Sequence, residues 1–232
     1  MNAIILAAGF GSRFGDVTKK THKALLPING IPNIERTICY LKEKNITNII
    51  IVTGYLEHQF SYLKTKYNCI IVHNEKYDIY NNIYTIYKAL KYFGNSKGSY
   101  VIDADVVIFK NFFSTTKTTS RYYLIQRPLS QNKEWVPIIN NKTVIDITVS
   151  NEYKPSLLGI SFWNNKEANI IKKEFDKYIT EKTLTTSSLY WDDIPRKILN
   201  ELKPEYELVE NNAAIEMDTV DDYKRANGFN YR

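Results

Sequence analysis

The sequence contains few of the residues that carry covalent or redox chemistry. Among 232 residues there are only two cysteines and three histidines. Cys39 and Cys69 lie far apart and form no C-x-x-C pair, so they indicate neither a disulfide framework nor a zinc site and suit a reducing cytoplasm. No Ser-His-Asp or Cys-His spacing is present, and we interpret His58 and His73 as structural or solvated. Chemistry that needs a protein nucleophile is therefore not indicated.

Long apolar runs and blocks of one charge are also missing. No apolar stretch approaches the roughly 18 residues of a membrane span, and the run at residues 3–8 ends in a glycine loop. It predicts a buried strand and not a signal peptide. The formal net charge is +6, but the lysines are scattered and form no basic stripe. We therefore expect a solvated, lysine-rich surface with no membrane or nucleic-acid partner; a phosphate-rich small substrate would benefit from this positive field.

The first hundred residues alternate apolar β-branched runs with segments of helical period, which is typical of β-α-β units. A composition of 44% hydrophobic and 13% aromatic residues supplies a sizeable core. Apolar positions of one predicted helix are Ile34, Ile38 and Leu41, and a second carries Leu56, Phe60 and Leu63. A third is predicted at 82–93, where Gly94 ends it. The predicted strands are 3–8, 48–53, 69–73 and 99–103.

After residue 109 the pattern changes to closely spaced strands. Strands are predicted at 122–126, 135–139, 144–149 and 157–162, and residues 140–142 predict a hairpin turn. Helices at 166–178 and 191–202, a strand at 206–209 and a helix at 220–226 follow. The predicted fold class is α/β: a Rossmann-like, mixed and mainly parallel sheet flanked by helices. We expect one domain, residues 1–232, with an antiparallel extension at about 110–165.

A glycine loop follows the first strand. Gly9 and Gly11 let the backbone turn sharply and present N–H groups to a triphosphate, and Arg13 and Lys23 can neutralise its oxygens. A P-loop is excluded because no G-K-[ST] follows. In a dinucleotide-binding loop the third glycine, Gly15, would stand one place earlier. A dinucleotide-binding loop is therefore disfavoured but stays an alternative, and a plain strand-to-helix turn is another.

This loop resembles the signature of the sugar-1-phosphate and choline-phosphate nucleotidyltransferase family, L-A-A-G-x-G-[ST]-R followed by P-K. His22 departs from it, because that family usually has proline before the lysine. The resemblance implies the nucleotide-diphospho-sugar transferase fold and catalytic roles for Lys23 and Arg13. It also implies nucleotide binding by Leu6, Ala7, Ala8, Gly9, Phe10, Gly11, Ser12 and Asp103.

Two pairs of carboxylates are candidates for holding a cation. Asp103 and Asp105 end an apolar strand, and the i, i+2 spacing directs both to one face, where they either bind a hard cation or simply cap the strand. Glu216 and Asp218 repeat that spacing, although taken alone Asp218 fits a helix N-cap. The residues from Glu216 to Tyr223 resemble the E-x-D-[ST]-V-x-D-Y close of the choline-phosphate type. That resemblance implies Mg²⁺ binding by Asp105 and Asp218, with Asp103 in support.

The choline-phosphate type also implies an acceptor site. Trp135 follows Asn-Lys-Glu in a segment that resembles its N-E-W, and Tyr190, Trp191 and Asp192 resemble its late W-D segment. These aromatic residues could equally be ordinary core. Together with Glu216 they offer aromatic faces and negative charge, which suit an acceptor with a positively charged nitrogen.

The expected reaction is transfer of CMP from CTP to a small phosphorylated acceptor of the phosphocholine type, releasing pyrophosphate, for decoration of cell-surface polysaccharides. Such an acceptor phosphate is already anionic at neutral pH. Alternatives are phosphoglutamine or 2-aminoethylphosphonate as acceptor and a sugar-1-phosphate nucleotidyltransferase. A non-catalytic nucleotide-binding regulator and a dinucleotide-dependent oxidoreductase are alternatives of other classes. The base, the acceptor and the oligomeric state stay open.

Overall fold

A computed structural model of the protein describes residues 1–129 and 131–228. Its β-strands, in chain order, are β1 Asn2–Ala7, β2 Pro27–Ile28, β3 Ile31–Pro32, β4 Asn48–Thr53, β5 Ile70–His73, β6 Ser99–Asp103, β7 Val106–Ile108, β8 Arg121–Ile125, β9 Glu134–Asn140, β10 Thr143–Ser150, β11 Ser156–Trp163, β12 Glu205–Leu208 and β13 Ala214–Glu216. The α-helices are α1 Asn33–Glu43, α2 Tyr62–Tyr67, α3 Asn82–Lys88, α4 Asn165–Phe175, α5 Glu181–Thr185, α6 Asp193–Arg196, α7 Leu199–Leu202 and α8 Val220–Gly228.

Nine of the strands form one mixed sheet in the order β5-β4-β1-β6-β11-β8-β12-β10-β9. β5, β4, β1 and β6 are mutually parallel, as expected of β-α-β units. β11 pairs antiparallel with both β6 and β8, and β9 with β10 form an antiparallel hairpin. The predicted mixed α/β sheet with an antiparallel extension is confirmed.

The apolar strands are buried on both faces, which explains why they read as continuous hydrophobic runs. In β1, Ala3 and Ile5 face one core, which includes Ile34 and Ile38 of α1. Ile4 lies on the opposite face with residues of α3, α4, α6 and α7. The sheet is therefore the middle of three layers. Among the described residues, none of the helices is long and apolar enough to cross a membrane.

The predicted strands are confirmed to within about a residue at most ends, and Asn141 forms the predicted hairpin turn with a φ of 55°. The helix predictions are less accurate. Leu56 adopts a left-handed φ of 50° and lies before a 3-10 turn, so α2 begins only at Tyr62. α3 ends at Lys88, and turns continue the chain to Gly94, whose φ is 80°.

The predicted helix at 191–202 is wrong, because the chain forms α6 and α7 with a break between them. Ile194, Leu199 and Leu202 are all buried in the same core. In one continuous helix, Ile194 and Leu199 would point about 140° apart, since each residue turns the helix by roughly 100°. The break allows both side chains to reach the core.

A second element not predicted from the sequence is the ribbon of β7 and β13, which pair antiparallel outside the main sheet. Val107 of β7 packs with Met217 and with Ala226 of α8 in a separate apolar cluster. This ribbon joins the end of the parallel half of the sheet to the last segment of the chain.

Candidate active site

The glycine loop leaves the carboxyl end of β1 and turns at Gly11, which has a φ of 64°. A Cβ at Gly11 would lie 3.2 Å from Cδ of Lys23, so this position favours glycine for its conformation and its packing. A 3-10 segment, Ser12–Lys19, follows, and it is kinked at Gly15. A dinucleotide site requires a regular helix here to face the pyrophosphate, so this geometry disfavours the oxidoreductase alternative.

The segment before the glycines carries three further residues to which the resemblance assigned nucleotide binding. Leu6, Ala7 and Ala8 are buried at the end of β1. Phe10 is 43% exposed, and its ring centroid lies 5.1 Å from that of Tyr55 and 5.2 Å from that of Tyr77. These two tyrosines, which were not predicted as site residues, place an aromatic group beside the loop, and neither belongs to a motif that would have indicated it.

Lys23 donates a hydrogen bond to a carboxylate oxygen of Asp105. The two side chains are only 17% and 14% exposed, so Lys23 is not a freely solvated surface lysine. Burial opposes the charge of Lys23, but the attraction of Asp105 raises its pKa above the ordinary value. The lysine is therefore cationic and held in the site.

The β7–β13 ribbon places the two acidic segments side by side. Glu216 is paired with Val106, and the N–H of Met217 donates to the carbonyl oxygen of Asp105 at 3.0 Å. The backbone on either side of Asp105 is held from α1, where the buried amide of Asn33 donates to the carbonyl oxygens of Ala104 and Val106, each at 3.1 Å. Asn33 was not predicted from the sequence.

Asp105, Glu216 and Asp218 form a cluster in which one carboxylate oxygen from each lies within 4.8 Å of the others. Such a set of oxygen donors fits a hard divalent cation. Within the described residues, Oδ1 of Asp105 is buried and has no hydrogen-bond partner, which leaves a lone pair for such an ion. Glu216, predicted as an acceptor residue, is therefore also placed as a potential metal ligand.

Each carboxylate of this cluster also faces a basic side chain. Lys23 pairs with Asp105, and Arg13 Nη1 lies 2.8 Å from Asp218 Oδ2. Arg127 pairs with Glu216. The alternation of positive and negative groups means that anionic phosphate oxygens and a metal ion can both be accommodated here.

Asp218 does not cap α8, which removes the alternative role considered for it. Thr219 and Asp222 form a capping box instead: the N–H of Asp222 donates to Thr219 Oγ1 at 3.2 Å, and the N–H of Thr219 donates to Asp222 Oδ2 at 2.8 Å. The carboxylate of Asp218 is thus available to face Arg13 and the cluster.

Asp103 lies deeper in the site, beside Leu6 in the sheet register. Burial raises its pKa well above the ordinary value, and repulsion from Asp105 and Asp192 adds to the effect. Gly159 of β11 makes room for it, since a Cβ there would lie 2.8 Å from Asp103 Oδ2. Within the described residues, the carboxylate cluster within 4.8 Å consists of Asp105, Glu216 and Asp218 and does not include Asp103.

Two of the predicted acceptor aromatics meet at the surface. The centroids of Trp135 and Tyr190 lie 6.0 Å apart, with their rings edge to face. The guanidinium of Arg196 lies 5.5 Å from the Trp135 centroid, so one face of the indole already carries a cation. Trp191 is only 2% exposed and packs edge to face against Trp163. Its ring belongs mainly to the core.

A small cavity lies between β8, β11 and the segment before α6, and it is lined by Tyr122, Gly159, Trp191 and Asp192 among others. Burial raises the pKa of Asp192 to about 8, and the neighbouring Asp193 adds to the shift. Burial also raises the pKa of Glu216 to about 7 against the opposing charge of Arg127. A buried acid such as Asp192, whose ionised form is disfavoured by burial, favours a bound positive charge beside it.

Arg127, which was not predicted from the sequence, also lies at the candidate site. Besides its pairing with Glu216, it donates to Ser156 Oγ and, at 2.8 Å, to the carbonyl oxygen of Leu157. Its Nε lies 3.6 Å from Glu134, next to Trp135. It therefore ties the antiparallel extension to the carboxylate cluster. An isolated arginine in a loop carries no motif that could have revealed this.

Comparison with known proteins gives the class. A family model described as a MobA-like NTP transferase domain matches residues 3–113. The chain is 48% identical to a choline-phosphate cytidylyltransferase of Haemophilus influenzae over 96% of this chain and 94% of that protein. The solved CTP:phosphocholine cytidylyltransferase of Streptococcus pneumoniae superposes with a TM-score of 0.91 at 40% identity, covering 98% of this chain and 97% of the other. The protein is a nucleotidyltransferase.

Within that class, the chain belongs to the family of the choline-phosphate cytidylyltransferases. The similarity to the Haemophilus influenzae enzyme shows this, because it extends over nearly the whole length of both chains. A 2-aminoethylphosphonate cytidylyltransferase of Lancefieldella rimae is more distant, at 29% identity over 94% of this chain and 89% of that protein. Enzymes of this family typically use a divalent metal ion, for which the cluster of Asp105, Glu216 and Asp218 is suited.

Proposed function

We propose that the protein transfers CMP from CTP to phosphocholine, or to a closely similar acceptor with a cationic nitrogen, and releases pyrophosphate. The observation that carries the proposal is the pairing of Lys23 with Asp105 and of Arg13 with Asp218. The two cations supplied by the loop segment meet two carboxylates of the cluster, so a triphosphate and a metal ion would share one site.

In the reaction, an oxygen of the acceptor phosphate attacks the α-phosphorus of CTP. The new oxygen–phosphorus bond forms as the bond to the bridging oxygen breaks, and pyrophosphate leaves with that electron pair. The acceptor oxygen is already anionic near neutral pH, so no protein base is needed. Lys23 and Arg13 hold the phosphates and neutralise the charge that develops on them, which is how enzymes of phosphate transfer lower their barrier.

The metal ion is proposed to be Mg²⁺, held by Asp105 and Asp218 with Glu216 within reach. When bound, it supplies positive charge to the phosphate oxygens. The free lone pair of Asp105 Oδ1 and the geometry of three carboxylates within 4.8 Å support this assignment. Asp103, partly buried beneath the cluster, is proposed to support the nucleotide side.

The acceptor nitrogen is proposed to bind on the side of Trp135, Tyr190, Asp192 and Glu216. The raised pKa values of Asp192 and Glu216 support this, because a cation placed near them would favour their ionised forms. Trp191, with its ring largely buried, is proposed to form a wall of the cavity next to Asp192. A sugar phosphate, whose sugar carries no positive charge, would gain nothing from this arrangement.

The whole chain is proposed to act as one nucleotidyltransferase domain, with residues 110–165 as its acceptor side. The continuous nine-stranded sheet and the contacts of Arg127 across it support this. The proposed biological role is decoration of cell-surface polysaccharide.

A pyrophosphate-release assay tests the proposal directly. CTP, UTP, ATP and GTP are each paired with phosphocholine, phosphoglutamine, 2-aminoethylphosphonate and glucose 1-phosphate in the presence of Mg²⁺. We expect the highest kcat/KM for CTP with phosphocholine. Turnover with a sugar phosphate alone would assign the protein to the sugar nucleotidyltransferases, and CTP binding without turnover of any acceptor would indicate a regulator.

A further inference from the structure

His22 occupies the position at which the related signature usually has proline, and it is almost fully buried, at 1% exposure. Its ring packs edge to face against Phe60, with centroids 4.9 Å apart. Its Nε2 lies 3.0 Å from the carbonyl oxygen of Gly9, and its Nδ1 lies 3.1 Å from the backbone N of Ala24. The ring thus stands between the glycine loop and the turn that carries Lys23.

These two contacts determine the tautomer. The backbone N–H of Ala24 can only donate, so Nδ1 of His22 must accept. In the neutral ring the proton then lies on Nε2, which donates to the carbonyl oxygen of Gly9. Burial, together with the neighbouring charge of Lys23, lowers the pKa of His22 to about 4, so the neutral form prevails at physiological pH.

The bond to Gly9 orients a peptide group in the loop. In a trans peptide the C=O and the N–H point in opposite directions, and the N–H on the same peptide plane belongs to Phe10. With the carbonyl held toward the buried His22, the N–H of Phe10 is directed away from His22, and both Gly9 and Phe10 are exposed residues. That side of the loop is where phosphate oxygens would bind.

The backbone of His22 is fixed as well. Its N–H donates to Gln59 Oε1 at 3.0 Å, and its φ of −60° and ψ of 140° lead into the 3-10 turn Lys23–Leu25. The same residue therefore sets the direction of one loop peptide and the starting point of Lys23. A proline could adopt this φ but could offer no donor to Gly9.

We propose that His22 is a positioning residue for the nucleotide: through its Nε2–H bond to Gly9 it holds the N–H of Phe10 toward the triphosphate. The inference rests on the proposed use of CTP. It assigns no contact between His22 and the acceptor, so its effect is confined to nucleotide binding.

Two substitutions separate the two ring contacts. His22→Asn keeps an acceptor near Nδ1, and asparagine is a good cap for the turn, but it lacks the donor at the ε position. His22→Gln keeps a donor near Nε2. We expect His22→Asn to raise the Kd of Mg²⁺-CTP, measured by isothermal titration calorimetry, by about tenfold, which is the size of one hydrogen bond. His22→Gln should stay within threefold of the wild type, and the KM of phosphocholine should change less than twofold in both.

Equal affinity of His22→Asn and the wild type would overturn the inference, and so would equal losses in both variants, which would indicate packing alone. If neither variant folds, His22→Ala is titrated with free imidazole: recovery of CTP affinity supports the inference and no recovery overturns it. Wild-type protein that binds no CTP would instead contradict the proposed function.

Discussion

The backbone N–H of Met217 donates to the carbonyl oxygen of Asp105 at 3.0 Å, and this bond extends the β7–β13 ribbon to the point where the carboxylate cluster forms. The ribbon brings Glu216 and Asp218 to within 4.8 Å of Asp105 although they are far apart in the chain. The proposed metal site is therefore a product of strand pairing and not of a local motif.

Asp105→Asn and Asp218→Asn should each lower kcat mainly by weakening metal binding, because the amide keeps the shape but loses the charge. The measurement is the Mg²⁺ concentration at half-maximal rate, which we expect to rise at least tenfold, with partial recovery of rate at high Mg²⁺. Asp221→Asn is the control, since Asp221 is 87% exposed and pairs with the nearby, exposed Lys224. Unchanged metal dependence in both site variants would make these acids structural.

Lys23→Met should lower kcat/KM at least a hundredfold while leaving the protein folded. Methionine keeps the apolar stem that packs beside Gly11 but removes the charge, and losing such a contact to developing negative charge costs about 3 kcal/mol. Lys19→Met, at a side chain that is 74% exposed, is the matched control and should have the kinetics of the wild type. If both variants retained full activity, Lys23 would have no catalytic role.

Gly159→Ala should destabilise the protein more than Gly30→Ala does. Both glycines have a positive φ, of 74° and 83°, so both variants lose about 1 kcal/mol of unfolding free energy to backbone strain. Only at Gly159 would the new Cβ meet the carboxylate of Asp103, at 2.8 Å, and that contact should add roughly 1 kcal/mol or more and depress activity. Chemical denaturation measures the difference, and equal losses would contradict this account of Asp103.

The secondary structure could be predicted from the sequence wherever burial follows a simple period. β1 and β4 were found because their apolar residues are buried without interruption. The break between α6 and α7 could not be found, because apolar spacing alone does not reveal a chain that stops and restarts to bury both Ile194 and Leu199.

The candidate site likewise contains residues that could be predicted from the sequence and residues that could not. The glycine loop, Lys23 and the i, i+2 acids were recognisable because their chemistry is local in sequence. Arg127 was not, since its partners Glu216 and Leu157 come from other strands. His22 was noted only as a departure from the signature. Its hydrogen bond to the carbonyl oxygen of Gly9 forms only when the chain folds back between the two residues, and no sequence pattern indicates that contact.

The buried, neutral His22 also predicts a pH dependence of stability. Its pKa in the folded protein is about 4, below the ordinary value of 6.5, so between these values the unfolded chain binds a proton that the folded protein does not. Stability contributed by His22 is therefore present above pH 6.5 and is lost as the pH falls towards 4. The difference in unfolding free energy between the wild type and His22→Asn should shrink by about 2 kcal/mol from pH 8 to pH 5.

Asp192 and Glu216, whose pKa values are raised, act in the opposite direction, because the folded protein binds their protons more readily as the pH falls. They are present in both proteins, so their contributions cancel in the difference. Urea titrations at each pH provide the measurement. A difference that stays constant between pH 8 and pH 5 would mean that His22 is protonated in the folded protein as easily as in the unfolded chain.

The last prediction concerns the acceptor and Trp135. A cation over an indole that is partly shielded from water is stabilised by about 1 to 2 kcal/mol, so Trp135→Ala should raise the KM of phosphocholine roughly five- to thirtyfold and that of CTP less than twofold. Arg196 lies 5.5 Å from the same ring, so Trp135→Ala also removes the contact of Arg196 with the indole. The variant Arg196→Met is therefore measured as a second control. It should leave the acceptor KM nearly unchanged if the indole itself binds the acceptor, and Tyr153→Ala, at a tyrosine that is 61% exposed, should alter neither constant. Equal effects of Trp135→Ala on both KM values, or the same acceptor defect in Arg196→Met, would show that Trp135 serves the fold and not the cationic nitrogen.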